Sequence, residues 1–355
     1  MTTYALSSYV TMLEALSHEG ADGRMLPLIN SLAERIDFLK VAHIMQANDG
    51  SGHQGVREFA QPSGTWRGYN MGVANEASFS EPYRERTAML ESPWESDLAI
   101  LNDSGYGPEL RMRMIGQSMA GMMKTVMTNI LYGTHATDDL QPDGIMARGP
   151  WNSLSSARTH DNAGGNASAT ANKTSMLVVG FGALKTALVY PGSQAPAQIG
   201  AGFPDANVSG MGITVTPLPD DYVFEVGSTT RKYLAARNHL SIRYGLAIND
   251  ERYIQRVCNI STSNIDGVDD FSIDENVMIA AMNAMPDLEN AFIFTNTTLA
   301  TQLWQRINDK GNLFHTVDMP FGKNLPAFNG VPILRIAPAD TGLAGGILDT
   351  EATVT

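Results

Sequence analysis

Apolar residues recur at helical spacing over one long stretch, from Asp103 to Gly133. Leu110, Ile115, Met119, Met122, Val126 and Ile130 return at steps of three to five, which places them on one face of a helix. Met112, Met123 and Met127 broaden that face, and Arg111, Arg113, Gln117, Lys124 and Asn129 supply polar positions. Pro108 suits a first turn, where a missing N–H is harmless, and Gly133 suits a left-handed cap. The proline-free run of about 25 residues predicts roughly 37 Å of helix at 1.5 Å per residue. That is about twice a usual globular helix. Such a helix is either the core of an ordinary enzyme or a spine carrying a thin domain. Its flanks decide.

Upstream, residues 8–16 and 27–39 read as two short amphipathic helices, the second with Leu28, Leu32, Ile36 and Leu39 on one face. Neither can bury its own apolar side, so this arm must dock on the rest of the chain or on a neighbouring copy. Residues 53–60 are expected to be extended, and Pro62, Ser63 and Gly64 signal a turn. Thr65 to Tyr69 is expected to continue the strand, and Ser78 to Leu90 returns. Pro82 confines that return to an edge, and Glu81, Arg84, Glu85 and Arg86 give it charge rather than an apolar face. A long hairpin polar on both sides has little reason to be stable alone. It is either a mobile surface loop or a loop ordered by lying across a neighbouring subunit. Trp66 and Tyr69, beside Arg67, favour the second reading, because exposed aromatics next to arginine anchor interfaces.

Downstream, residues 150–173 are rich in Ser, Ala, Asn and Gly and read as a loop or flap. Met176 to Tyr190 is a strand candidate broken by Gly180 and Gly182, and residues 192–212 are again Gly/Ala/Pro-rich. Runs at 213–216, 222–226, 232–248 and 253–257 have strand character. Helices are expected at 273–285 and 298–307, with strands at 291–295 and 331–336. Helix and strand alternating at this spacing predict a compact α+β lobe.

Composition narrows the function. A chain of 355 residues buries a sizeable core, and 43% hydrophobic with 17% charged residues is a globular balance. A net charge of −13 and a pI near 4.9 argue against direct nucleic-acid binding, which needs a basic face. They are compatible with a wall around nucleic acid. The lone Cys258 forms no internal disulfide, and its apolar neighbours point to a buried thiol. The sequence shows no signal-peptide pattern and no 18-residue apolar run, so neither secretion nor a membrane span is expected.

Catalytic signatures are scarce. The seven histidines are scattered, without H-E-x-x-H. His160-Asp161 is the nearest approach to an acid–base pair, and it has no nucleophile motif beside it. Gly180 to Thr186 superficially resembles a phosphate loop, but Leu184 stands where glycine must precede the lysine. Close strand packing is the better account of those glycines. Asp220-Asp221 and Asp269-Asp270 read as solvated turns. No cofactor, metal or catalytic residue is expected.

Several motifs fall in a recognisable order. They are Leu13-Glu-Ala-Leu16 with Ile29-Asn-Ser-Leu-Ala-Glu-Arg35, and Gln61-Pro-Ser-Gly-Thr-Trp-Arg67 with Asn70-Met-Gly-Val73. Leu131-Tyr-Gly133 with Pro142-Asp-Gly-Ile145, Tyr244 through Asp250 with Arg252-Tyr253, and Phe328-Asn-Gly-Val-Pro332 follow. In this order the chain resembles the major capsid proteins of tailed phages, of the short-tailed-phage type. Glu251 stands where that pattern would have an aromatic.

The resemblance implies an α+β fold with an N-terminal arm (1–50), an extended E-loop hairpin (51–102) and a P domain on the spine helix (103–162). A mixed P/A-domain β region (163–262) and an A domain with a closing strand (263–355) complete it. It implies an icosahedral virion shell of hexamers and pentamers, assembled in the host cytoplasm, with no catalysis. The shell would enclose double-stranded DNA without reading its sequence, and its partners would be copies of itself with scaffolding, portal and decoration proteins. Trp66, Arg67, Tyr69, Arg84 and Arg86 are the expected inter-subunit contacts. An encapsulin compartment, built on the same fold, is the alternative.

Overall fold

The computed structural model describes residues 37–103, 107–166, 172–191, 214–224, 230–262, 271–309, 314–318, 324–336 and 346–355. The expected helix at 8–16, most of that at 27–39, and the loop 192–212 lie outside these residues. The described chain begins with a short helix, α1 (Asp37–Val41), which buries Phe38 against Phe181 and Phe294 at ring-centroid distances of 5.3 and 4.8 Å. The end of the arm therefore docks on its own chain.

Two sheets follow. The first has six strands, built on β8 (Lys232–Ile248). β3 (Phe79–Asp97) pairs along one edge of β8, from Thr87 opposite Gly245 to Asp97 opposite Ala235. The other edge is shared by β6 (Thr186–Tyr190), which carries β1 (Ile44–Gln46), and by β7 (Thr214–Phe224). β7 is one bulged strand, not the two runs expected at 213–216 and 222–226, with its register shift between Leu218 and Asp221. The free half of β3 pairs with β2 (Gly52–Ala60), so the hairpin grows directly out of the sheet.

The second sheet has seven strands. In spatial order they are β11 (Phe314–Asp318), β12 (Asn324–Phe328), β13 (Val331–Arg335), β10 (Ala291–Thr295), β5 (Lys173–Gly180), β9 (Ile254–Ser261) and β4 (Thr159–Asp161). β11 and β12 were not foreseen. β5 and β9 are buried at every position, as expected of strands covered on both faces. One face meets the long helix and the first sheet through Leu177, Val179, Ile254 and Phe294. The other meets two helices, α5 (Glu275–Asn283) and α6 (Thr297–Asp309), through Val178, Val257, Met282 and Leu303. Between α1 and these lie α2 (Leu98–Asp103), α3 (Gly107–Tyr132) and α4 (Gly149–Asn152). The run expected as one broken strand at 176–190 is thus divided between the sheets, β5 in one and β6 in the other. Gly180 lies at the crossing, where an added Cβ would come within 3.1 Å of Tyr253 and 3.2 Å of Met285. Close packing explains that glycine.

The long helix α3 begins four residues later than Asp103, which belongs to α2. Its buried stripe is Leu110, Met114, Ile115, Met122, Met123, Val126, Met127, Ile130 and Leu131. Met119 is only half buried at the edge of that stripe, and Met112, expected to broaden it, is 68% exposed. Substituting Met127 by aspartate is therefore expected to cost several kcal/mol, the price of an unpaired buried carboxylate. Met112→Asp should stay within about 0.5 kcal/mol, as surface changes do. Urea titration of the two variants checks the facing.

Helices leave their last carbonyls without intrahelical partners. Here a returning segment satisfies them with main-chain N–H groups. Gly144 donates to the Gly133 carbonyl at 2.8 Å, Ile145 to Ile130 at 2.9 Å and Met146 to Leu131 at 2.8 Å. The approach leaves no room for a side chain, since a Cβ on Gly144 would sit 2.6 Å from the Asn129 carbonyl oxygen and 2.8 Å from the Gly133 nitrogen. Gly144→Ala is expected to destabilise by about 1–3 kcal/mol, as overpacking against backbone does. A thermal melt beside Gly149→Ala, whose Cβ would meet nothing within 4 Å, isolates the effect.

Candidate inter-subunit interface

The hairpin β2–β3 leaves the body in register from Gly52 opposite Arg86 to Ala60 opposite Phe79. Its base is clamped on the turn after β8. The Arg57 guanidinium pairs with Glu251 at 2.7 Å, donates to the Ile248 carbonyl and stacks 4.3 Å over the Tyr83 ring. The Tyr83 hydroxyl donates to Asn249 Oδ1 at 2.6 Å, and burial raises its pKa. On the same side Glu85 accepts from Arg148 at 2.6 Å, and Arg148 also donates to the Asp143 carbonyl at 2.9 Å. This ties the hairpin to the segment that caps α3. His53, next to Glu85, has its pKa lowered by burial, with the Glu85 charge acting against that.

Glu251, out of place in the sequence pattern, is therefore a strut of the hairpin. Arg57 and Arg148 were not singled out from the sequence, and Glu85 and Glu251 were noted only for charge and for a departure from the pattern, not as a clamp. The one signal available was the alternation of charge along β3, and their partners lie far away in the chain.

Beyond the paired strands, residues 61–78 are exposed throughout and do not extend the strands as expected for Thr65–Tyr69. The loop is nonetheless braced. Glu76 accepts from the Gly64 N–H at 2.9 Å and from the Thr65 hydroxyl at 3.2 Å, and these bonds lower its pKa. A tight turn has Asn70 at φ 63° and closes from the Met71 N–H to the Gly68 carbonyl at 3.3 Å. Trp66 is 102% exposed and Tyr69 100%. With Met71 at 67% and Val73 at 46%, they make the loop an exposed apolar stretch.

The five expected contact residues do not form one cluster. Trp66, Arg67 and Tyr69 share the tip, whereas Arg84 and Arg86 lie near the base, where Arg86 faces Gly52. Arg84 is engaged at home, pairing with Asp49 at 2.6 Å and donating to the Ser51 hydroxyl at 2.7 Å.

The remaining candidates for chemistry are structural. His160 shares a hydrogen bond with Gln255 at 3.1 Å, and Asp161 accepts from the Ala163 and Gly165 N–H groups and from Asn259. Cys258 is buried, which pushes its thiol up to about 12. Among the described residues no group of three His, Cys, Asp or Glu side chains could hold a metal ion, and no helix is long and apolar enough to cross a membrane.

The described residues thus form two sheets packed with a long helix, and a braced hairpin that ends in two exposed aromatics. The family model for the major capsid protein GP7 matches residues 20–354, and the chain belongs to that family. It is a structural protein of the phage head, the subunit from which the shell is made. Among solved structures, a chain of the near-atomic cryo-EM structure of bacteriophage Epsilon15 superposes with a TM-score of 0.72 at 21% identity, covering 97% of this chain and 99% of that one. The capsid of bacteriophage JBD30 gives 0.44 at 11%, covering 86% and 92%. The holo encapsulin complex from Synechococcus elongatus gives 0.43 at 10%, covering 72% and 98%. The fold assignment rests on the first of these. No curated protein sequence matched.

Proposed function

We propose that this subunit builds a closed icosahedral shell of hexamers and pentamers around double-stranded DNA, with each hairpin tip lying on a neighbouring subunit. The observation that carries this reading is the braced loop 61–78, exposed along its whole length and carrying fully exposed Trp66 and Tyr69. Trp66 and Tyr69 supply contact area, and Arg67 a planar fork of donors for a carboxylate across the interface. Arg86 is a further contact, and Arg84 acts chiefly by stiffening the base. In domain terms residues 1–50 act as arm, 51–102 as E-loop, and 103–162 as the P domain on α3. Residues 163–262 form the mixed β region and 263–355 the A domain. The acidic balance of −13 suits a wall that does not bind the polymer it surrounds. The protein acts in the virion, after assembly in the host cytoplasm, without catalysis or cofactor. Scaffolding, portal and decoration proteins are its further partners.

Sedimentation and negative-stain imaging of the purified protein, with a scaffolding partner added where needed, test the reading. The expected result is large hollow particles. A strictly monomeric species under every such condition would overturn it, and particles filled with an enzyme cargo instead of DNA would point to an encapsulin compartment.

A further inference from the structure

Residues 346–355 belong to neither sheet, and past their first two positions they are held by polar bonds. Ile347 is fully buried, in the apolar core that α3 shares with both sheets. Within 348–355 Val354 is the only buried apolar residue, and it lies outside the apolar clusters of the body. Leu348 is 39% exposed, and Thr350, Ala352, Thr353 and Thr355 are exposed as well.

The partners of this segment are buried polar groups of the body. Asn259 accepts from the Val354 N–H at 3.1 Å and donates to the Val354 carbonyl at 3.1 Å. Buried Lys173 donates to the Thr353 hydroxyl at 2.7 Å, and its carbonyl accepts from the Glu351 N–H at 2.7 Å. The Leu348 N–H donates to the Tyr132 hydroxyl at 3.0 Å. At the centre the Glu351 carboxylate accepts from Arg256 at 2.8 Å, from Ser175 and from that same Tyr132 hydroxyl.

This construction sets the segment apart from the strands beside it. Lifting it away exchanges hydrogen bonds within the protein for bonds to water, a small net change for each neutral pair. It uncovers little apolar surface, and apolar burial is what ties a region to global unfolding. The Arg256–Glu351 pair is the exception, being charged and 5% exposed on both sides. When the segment lifts, water reaches both charges together, so neither is left buried alone.

We propose that residues 348–355 are a latch, hinged at Gly346 and Ile347, which opens as a unit while α3 and both sheets stay folded, with Glu351 as its bolt. Closed, the latch ties the last turn of α3 to β5 and β9 through one carboxylate. Open, it releases that tie and uncovers Arg256 and Lys173. The latch is a property of the single subunit and does not rest on the shell reading.

The test is amide hydrogen exchange, read residue by residue on the full-length, unassembled subunit in increasing urea. Leu348, Glu351 and Val354 each donate a main-chain hydrogen bond from the latch. After correction for intrinsic rates they are expected to exchange at one common rate, at least about a hundredfold faster than amides of β5 and β9. That rate should respond weakly to urea, because the opening exposes little surface. Exchange of the latch at the rate and urea dependence of β9 overturns the proposal, as do graded rates that fall from Val354 to Leu348. Two variants probe the unit and its bolt. Thr353→Ala removes the Lys173 bond at an exposed position and should speed Leu348, Glu351 and Val354 alike, by about tenfold. A response confined to Val354 would show that the segment does not move as one. Glu351→Gln should speed Leu348 and Val354 by at least about a further tenfold, with β5 and β9 remaining the slower class. Unchanged latch rates in that variant, or loss of the difference from β9, would remove Glu351 from the role of bolt.

Discussion

Truncating Trp66 and Arg67 together to alanine is expected to leave the unassembled subunit as stable as before and to abolish shell formation. Both residues lie on the exposed loop beyond the last strand pair, Ala60 with Phe79. The indole is 102% exposed, so its removal opens no cavity in the subunit. The clamp at the hairpin base, made by Arg57, Tyr83, Glu85 and Arg148, is untouched. At an interface, central aromatic and arginine anchors each cost on the order of 2 kcal/mol or more when truncated. In a shell that loss repeats at every contact, so a modest loss per contact becomes failure of assembly. Circular dichroism melting of the isolated variant, beside sedimentation of an assembly mixture, reads the two effects separately. A destabilised subunit that still builds normal shells would show that the tip closes a core within one chain.

Replacing Arg256 by methionine is expected to destabilise the subunit itself by about 3–5 kcal/mol, the cost of stranding one member of a buried ion pair. Arg256 on β9 pairs with Glu351 at 2.8 Å, and both side chains are 5% exposed. Each is otherwise fully engaged. Arg256 donates to the Ser175 hydroxyl at 3.0 Å and to the Trp151 carbonyl at 2.7 Å. Glu351 accepts from the Tyr132 hydroxyl at 2.5 Å and from the Ser175 hydroxyl. Burial, and then the Glu351 charge, hold the Tyr132 pKa well above that of a free phenol. The network joins the last turn of α3, two strands of the second sheet and residues 346–355. That terminal segment is also tied by Glu351 N–H to the Lys173 carbonyl at 2.7 Å and by Val354 N–H to Asn259 Oδ1 at 3.1 Å. Pairing Arg256→Met with Glu351→Leu should recover much of the loss, because an apolar pair strands no charge. Urea midpoints of the single and double variants check it. A single variant within about 1 kcal/mol of the parent would mean that water reaches the site.

Local pattern was a good guide wherever one side of an element alone decides its state. The period of Leu110, Ile115, Met122, Val126 and Ile130 marked α3, and those residues are buried together. Charge along Glu81 to Arg86, with Pro82 among them, marked a hairpin that no sheet covers, and Val56 opposite Pro82 is 68% exposed. Pattern failed where burial was complete. Residues 176–190 are apolar almost throughout, and continuous apolarity carries no period to show that β5 and β6 belong to different sheets. Met112 and Met123 look alike in sequence, and only the packing leaves one 68% exposed and the other 5%.

The sequence by itself determined the parts and their order: a long spine helix, a polar hairpin with aromatics at its turn, and an α+β lobe without a catalytic motif. Those properties depend on residues a few positions apart, and the resemblance to phage shell proteins followed from their order. Only the tertiary structure decided which partners each part takes. Glu251 braces Arg57 across 194 positions, the 144–146 segment caps α3, and Glu351 meets Arg256 across 95 positions. The physical reason is one of choice. A charge or a helix-end carbonyl is satisfied by any suitable partner, and only the closed fold decides which ones lie within reach.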